Sequence, residues 1–62
     1  MDSESIAKIN QAVDAGLNRC AGSPMPFSAL RDFLKTLEDL GGWTAEEIKT
    51  VEEAITRVLT GQ

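Results

Sequence analysis

The sequence AGSPMP, residues 21–26, interrupts a chain that is otherwise patterned for helices. Proline lacks the N–H that a helix interior needs and disfavours helical geometry in the residue before it, so Pro24 and Pro26 prevent a helix from crossing this stretch. A second break follows at Gly41, because glycine readily adopts the left-handed conformation that ends a helix. These two breaks divide the chain into three segments, and we predict helices at about residues 3–20, 27–40 and 44–60.

Each segment carries apolar residues at the three- and four-residue spacing of one helix face. In the second segment the apolar arc is roughly 140° wide, which suits a helix with a neighbour on each flank. The predicted fold is therefore all-α: a single three-helix domain over residues 1–62, with a tight αα-hairpin between the second and third helices. The apolar residues are Ile6, Ile9, Val13, Leu17 and Cys20; then Phe27, Leu30, Phe33, Leu34, Leu37 and Leu40; then Ile48, Val51, Ile55, Val58 and Leu59.

The third helix begins with a recognisable capping signal in GGWTAEEI, residues 41–48. Thr44 and Glu47 have the spacing of a capping box, in which each side chain accepts the other residue's backbone N–H. Trp43 and Ile48 flank this box at the positions of a hydrophobic staple. Every residue of the corner thus has a predicted structural role.

The first segment carries three further local signals. Asp2 or Ser3 is suited to cap the helix. Glu4 and Lys8 have the i,i+4 spacing of a favourable ion pair. Gly16 lies beside the apolar stripe, where it weakens the helix but permits a neighbour to approach closely.

Composition limits the chemistry that is open to the chain. The net charge is −4, with ten acidic and six basic residues, which disfavours nucleic acid and anionic lipid as partners. No apolar run approaches the roughly 18 residues of a membrane span, and the acidic, polar MDSESIAKIN does not resemble a targeting peptide. The sequence contains no histidine and one cysteine, so we expect no metal, no cofactor and no internal disulfide. We expect a cytoplasmic protein in which Cys20 is a buried free thiol.

Enzymatic activity is not expected from these residues. A general base near neutral pH is missing, because there is no histidine. Arg19 is adjacent to Cys20 in sequence, and adjacent helical residues do not share a face, so it is poorly placed to activate the thiol. Ser28 occupies a place similar to the modified serine of carrier domains, but Phe27 replaces the aspartate that normally precedes it.

The alternative to a protein-binding role is a small transcriptional regulator of the helix-turn-helix type. Residues 30–59 have the outline of that motif, with a glycine turn between two helices. The start of the second helix in such a pair faces the DNA, and here it carries Glu46 and Glu47. Carboxylates at that position would be repelled by phosphates, so we rank this alternative second.

The expected function is a small non-enzymatic protein–protein interaction module: a regulatory subunit, an adaptor or an inhibitor of the kind that phages or mobile elements encode. Its predicted partner-binding residues are Met25 and Phe27 before and within the second helix, and Leu40 and Trp43 at the corner. Methionine held between two prolines is poorly placed to enter the core, and tryptophan is enriched at binding hot spots.

The partner is expected to be a larger protein or, preferably, a second copy forming a dimer. A domain of this size without disulfides or metals has few other means of gaining stability. The wide apolar arc of the second helix exceeds what one neighbour covers. Ala12 and Ala15 near Gly16 are predicted to give the outer face of the first helix a surface for close packing.

Overall fold

The computed structural model describes residues 2–61 and contains three helices: α1, Ser3–Ala21; α2, Pro26–Leu40; and α3, Ala45–Thr60. Each helix packs against both of the others, which confirms the predicted all-α three-helix bundle. The helix bounds differ from the predicted ones by no more than one residue.

Polar side chains begin α1 and α3 as the sequence predicts. The Asp2 carboxylate accepts the N–H of Ser5 at 2.9 Å and caps α1. At α3, Thr44 Oγ1 accepts the N–H of Glu47 at 3.1 Å, and Glu47 Oε1 accepts the N–H of Thr44 at 2.9 Å. The predicted capping box is therefore confirmed, and it satisfies backbone donors that would otherwise lack a partner in the first turn.

Two glycines make the corner between α2 and α3. Gly41 and Gly42 have φ angles of 79° and 80°, a region that residues with a side chain rarely adopt. The N–H of Gly41 donates to the carbonyl of Glu38 at 3.2 Å and closes α2. Because both positions need positive φ, this short hairpin depends on the glycine pair, whereas the sequence pattern pointed only to Gly41 as a left-handed residue.

The core forms where the three helices meet, and its most deeply buried side chains are Val51, Ile55 and Cys20. Its edge is covered by half-buried apolar side chains, which include Val13, Leu17, Leu34, Trp43 and Leu59. Its buried apolar members are Ile9, Ala12, Cys20, Leu30, Phe33, Leu37, Val51 and Ile55.

Gly16 is the point of closest approach in this core. A Cβ atom at this position would lie 2.5 Å from Ile55 Cδ1 and 2.9 Å from Phe33 Cε2, so side chains of α3 and α2 both press against the α1 backbone. The prediction that Gly16 permits a neighbour to approach closely is confirmed, whereas the prediction that Ala12 belongs to the outer face is wrong, because Ala12 is buried. Small residues face the centre of the bundle since Phe33 and Ile55 fill the space there. Of that predicted surface, only Ala15 is exposed.

Several apolar residues of the predicted stripes lie outside the core. Ile6, Phe27, Leu40 and Val58 are exposed. Each lies within the first or last four residues of its helix. The helical periodicity identified the correct faces, but it did not show how far along each helix the burial extends.

We expect Gly16→Ala to destabilise the protein by about 1–3 kcal/mol, because the added methyl group would overpack a core position. This loss opposes the gain of up to about 1 kcal/mol that alanine normally brings to a helix interior. Neither neighbour can move away easily, since Ile55 and Phe33 are themselves buried. Urea denaturation measures the change.

The control is Asn18→Ala, at an exposed position of the same helix. It should leave the stability unchanged or raise it slightly through helix propensity. A stabilised Gly16→Ala variant would show that α1 does not approach its neighbours as closely as described.

Candidate protein-binding surface

Lys8 joins the beginning of α1 to the corner between α2 and α3. Its Nζ donates to the carbonyl of Gly42 at 2.8 Å and to Glu47 Oε1 at 3.1 Å, and it lies 4.5 Å from the centroid of the Trp43 ring. The predicted Glu4–Lys8 ion pair is wrong: within residues 2–61, Lys8–Glu47 is the one ion pair closer than 4.0 Å. The ammonium group is drawn to the corner because a carbonyl, a carboxylate and an aromatic face are all available there.

Glu47 is a charged residue with only 8% of its surface exposed. The backbone N–H of Thr44 is the main cause that holds the pKa of Glu47 below its usual value of 4.5, and the Lys8 ammonium lowers that pKa further. Its carboxylate oxygen Oε1 accepts both hydrogen bonds, which offsets the cost of removing a charge from water. The capping role was predictable from the sequence, but the partnership with Lys8 arises only when α1 and α3 pack together.

Of the two predicted binding residues at the corner, only Leu40 has a largely exposed side chain. Trp43 is half-buried, packs against the core and lies beneath the Lys8 ammonium, so much of its ring is engaged within the molecule. Leu40 has 74% of its surface exposed. Ile48, the predicted staple partner of Trp43, is half-buried.

The other two predicted binding residues lie at the opposite end of α2. Met25 is 64% exposed and Phe27 is 51% exposed, whereas the neighbouring Leu30 is buried in the core. Phe27 and Leu40 are separated by about 20 Å along the helix and by roughly 140° around it. The structure therefore divides the predicted residues between two separate places, and Phe27 and Leu40 lie on opposite flanks of the buried face of α2.

A groove lies beside Phe27, along the exposed flank of α2 that adjoins α3, and we call it the α2–α3 groove. Its volume is about 460 Å³. Its apolar surface comes from α2, and its rim carries charges of both signs, with Arg31 and Lys35 on α2 and Glu52 on α3. The lining residues are Phe27, Leu30, Arg31, Leu34, Lys35, Glu38 and Glu52.

The charged members of this groove were not among the predicted binding residues. Phe27, Arg31, Leu34 and Glu38 are spaced by four, three and four residues, so they follow one line along α2. That spacing is visible in the sequence. Leu34 belongs to the apolar stripe of α2 but is only half-buried, so it lines the groove beside these charged residues.

The described residues also bear on metal binding. They contain no cluster of three or more acidic or thiol side chains arranged to hold a metal ion. Over the same residues, every buried side-chain nitrogen or oxygen atom has a hydrogen-bond partner. What the α2–α3 groove offers chemically is apolar contact bordered by charge.

Cys20 lies inside the core with 0% of its surface exposed, as predicted. Burial raises the pKa of its thiol above the usual 9.0, an effect that the charge of Arg19 only partly opposes. The thiolate, which is the reactive form, is therefore both scarce and shielded.

Comparison with protein-family models, with curated proteins and with solved structures finds no match for this chain. Across residues 2–61, no helix has both the length and the apolar character required to cross a membrane.

We expect the stability of the protein to fall as the pH is lowered through and below 4.5, and Glu47→Gln to reduce this fall. The unfolded chain binds a proton at Glu47 first, because the pKa is lower in the folded state, so the stabilisation is present above pH 4.5 and is lost below it. Asp2 contributes in the same direction, since the Ser5 N–H lowers its pKa, so the variant should retain some dependence. Melting temperatures between pH 7 and pH 3 provide the measurement.

Glu46→Gln is the matched control for this experiment. Glu46 is the adjacent residue in the first turn of α3, but its side chain is exposed. Its substitution should leave the pH dependence as in the wild type. An equal effect of the two substitutions would contradict the special environment of Glu47.

We expect the thiol of Cys20 to react slowly with an aromatic disulfide reagent in the native protein and rapidly in urea. Both burial and the raised pKa suppress the reaction in the folded state. Since the chain has one cysteine, the whole absorbance change comes from this residue. Immediate stoichiometric labelling without denaturant would refute the burial.

Proposed function

We propose that this chain is a non-enzymatic protein–protein interaction module that binds its partner through the α2–α3 groove. The observation that carries the proposal is the Phe27 ring, half-exposed at one end of a groove that also contains Leu34. Aromatic residues at the edge of an apolar depression are frequent anchors in protein interfaces, because they bury a large area when the partner binds. A regulatory subunit, an adaptor or an inhibitor would each act in this way.

The charges on the rim support a specific contact over a general apolar one. Arg31 and Lys35 are exposed on α2, and Glu52 is exposed across the groove on α3. Charged residues around an apolar centre select partners with opposite charges in the matching places and repel others. The groove therefore favours a helical segment with an apolar stripe and complementary charges beside it.

A non-enzymatic role is supported by the residues available for chemistry. The thiol of Cys20 is enclosed in the core and the sequence has no histidine. Ser28 is exposed in the first turn of α2, where no imidazole can accept its proton. These features leave binding as the activity that the surface is equipped for.

The helix-turn-helix alternative gains no support from a particular observation. Glu46 and Glu47 both lie in the first turn of α3, the part that would face the DNA. Together with the net charge of −4, they would oppose the approach of phosphates. We therefore do not propose DNA binding.

The proposal predicts that binding depends on Phe27. Immobilised wild-type protein should retain a defined set of proteins from an extract of the source cells, or a second copy of itself. Phe27→Ser should lower that retention at least about tenfold, as expected when an aromatic hot spot is removed. Quantitative mass spectrometry of the bound fraction provides the measurement.

Ile6→Ser is the matched control, because Ile6 is 49% exposed, close to the value for Phe27, but lies in α1 at the other end of the bundle. It should retain partners as the wild type does. Equal loss in both variants, or no retained protein together with a monomeric chain, would reject the proposal. Specific retention of duplex DNA in a low-salt gel shift would favour the regulator instead.

A further inference from the structure

We propose that the partner of the α2–α3 groove is a second copy of this chain, bound so that the two α2 helices run antiparallel about a two-fold axis near Leu34. The inference rests on the proposed function and names its partner. It is carried by the positions of Arg31 and Glu38 along α2, because a two-fold rotation brings the Arg31 of one copy opposite the Glu38 of the other.

The complementarity comes from Arg31 and Glu38. In a two-fold interface, a residue on one side of the axis meets the residue at the same distance on the other side in the second copy. Arg31 and Glu38 lie on either side of the midpoint between positions 34 and 35, each about 5 Å from it along the helix. Both are exposed, and their directions around α2 differ by only roughly 20°. An antiparallel arrangement therefore places each Arg31 opposite Glu38 of the other copy, giving two ion pairs.

Leu34 provides the apolar centre of this arrangement. It is half-buried and lies next to the axis, so it would contact Leu34 of the second copy. Phe27 lies about 11 Å from the axis, where symmetry places its exposed ring opposite Gly42 of the second copy, in the corner that follows the other α2. Burying these two side chains in each copy supplies the apolar contribution, and the ion pairs fix the register.

The same charges disfavour other arrangements. If the two α2 helices ran parallel, Arg31 would face Arg31 and Glu38 would face Glu38, and these like charges would repel each other. A hetero-partner would need no such symmetry in the groove residues, since its own sequence could supply the complement. The Arg31 and Glu38 charges of the groove complement themselves and thus suit a second copy of the same chain, while Lys35, next to the axis, meets Lys35 of that copy.

The test uses two charge reversals, Arg31→Glu and Glu38→Arg, in the full chain. Either change alone places like charges opposite each other at both ion-pair positions, so each variant should have a dimer dissociation constant raised at least about tenfold. The Arg31→Glu variant carries acidic side chains at positions 31 and 38, and the Glu38→Arg variant carries basic ones at both. In an equimolar mixture, opposite charges therefore face each other in the mixed dimer, and dimers should form again. Sedimentation equilibrium from micromolar to millimolar protein measures the masses.

Neither reversal is expected to disturb the fold, because both side chains are exposed. Arg31→Glu also gains a favourable i,i+4 relation to Lys35. Far-UV circular dichroism of each variant at low concentration checks this point. Lys49→Glu, at an exposed position of α3 outside the groove, changes the net charge as much as Arg31→Glu does and should leave the dissociation constant unchanged.

A wild-type dimer, two weakened single variants and a restored mixed dimer would establish the inference. Single variants that associate like the wild type, or a mixture that stays monomeric, would overturn it. A wild-type monomer up to millimolar concentration would also overturn it, but the proposed function would stand if Phe27-dependent retention of another protein were observed. A monomer without such retention would reject both.

Discussion

The absence of a side chain at Gly16 is the condition on which the packing of this bundle depends. Phe33 of α2 and Ile55 of α3 both press on the α1 backbone at this point, and a single Cβ atom would enter the space that they fill. Three short helices without a disulfide have few ways to bury enough apolar surface. Close approach at one glycine allows two large side chains, Phe33 and Ile55, to be buried together.

The end of the bundle that is farther from the Pro24–Pro26 loop is held by a polar contact instead. One ammonium group, that of Lys8, contacts the carbonyl of Gly42 and the carboxylate of Glu47 and covers the Trp43 ring. The same carboxylate oxygen accepts the backbone N–H of Thr44, so the cap of α3 and its polar contact with α1 share one atom. Local capping and tertiary packing are coupled at this corner.

The tight core also explains where a partner can bind. Phe27 lies on a flank of the buried face of α2, near the start of the helix, and its side chain remains half-exposed. The adjoining flank of α2 presents Leu34 between Arg31 and Glu38, so an apolar contact lies between charges of opposite sign. Because Trp43 is engaged within the molecule, we propose this flank, and not the corner, as the binding surface.

The sequence by itself determined the three helices, their ends and the capping box, because these features follow from local signals: the Pro24–Pro26 loop, the glycine pair, and the spacing of Thr44 and Glu47. It also indicated that Met25 is exposed and that Cys20 is buried, whereas Phe27 and Leu40 belong to the predicted apolar stripe of α2 and are exposed in the structure. Only the tertiary structure decided that Gly16 faces the core, that Lys8 pairs with Glu47 and not with Glu4, and that charged residues border a groove on α2. The physical reason is that each of these depends on how far one helix reaches across another, a distance that periodicity within a single helix does not contain.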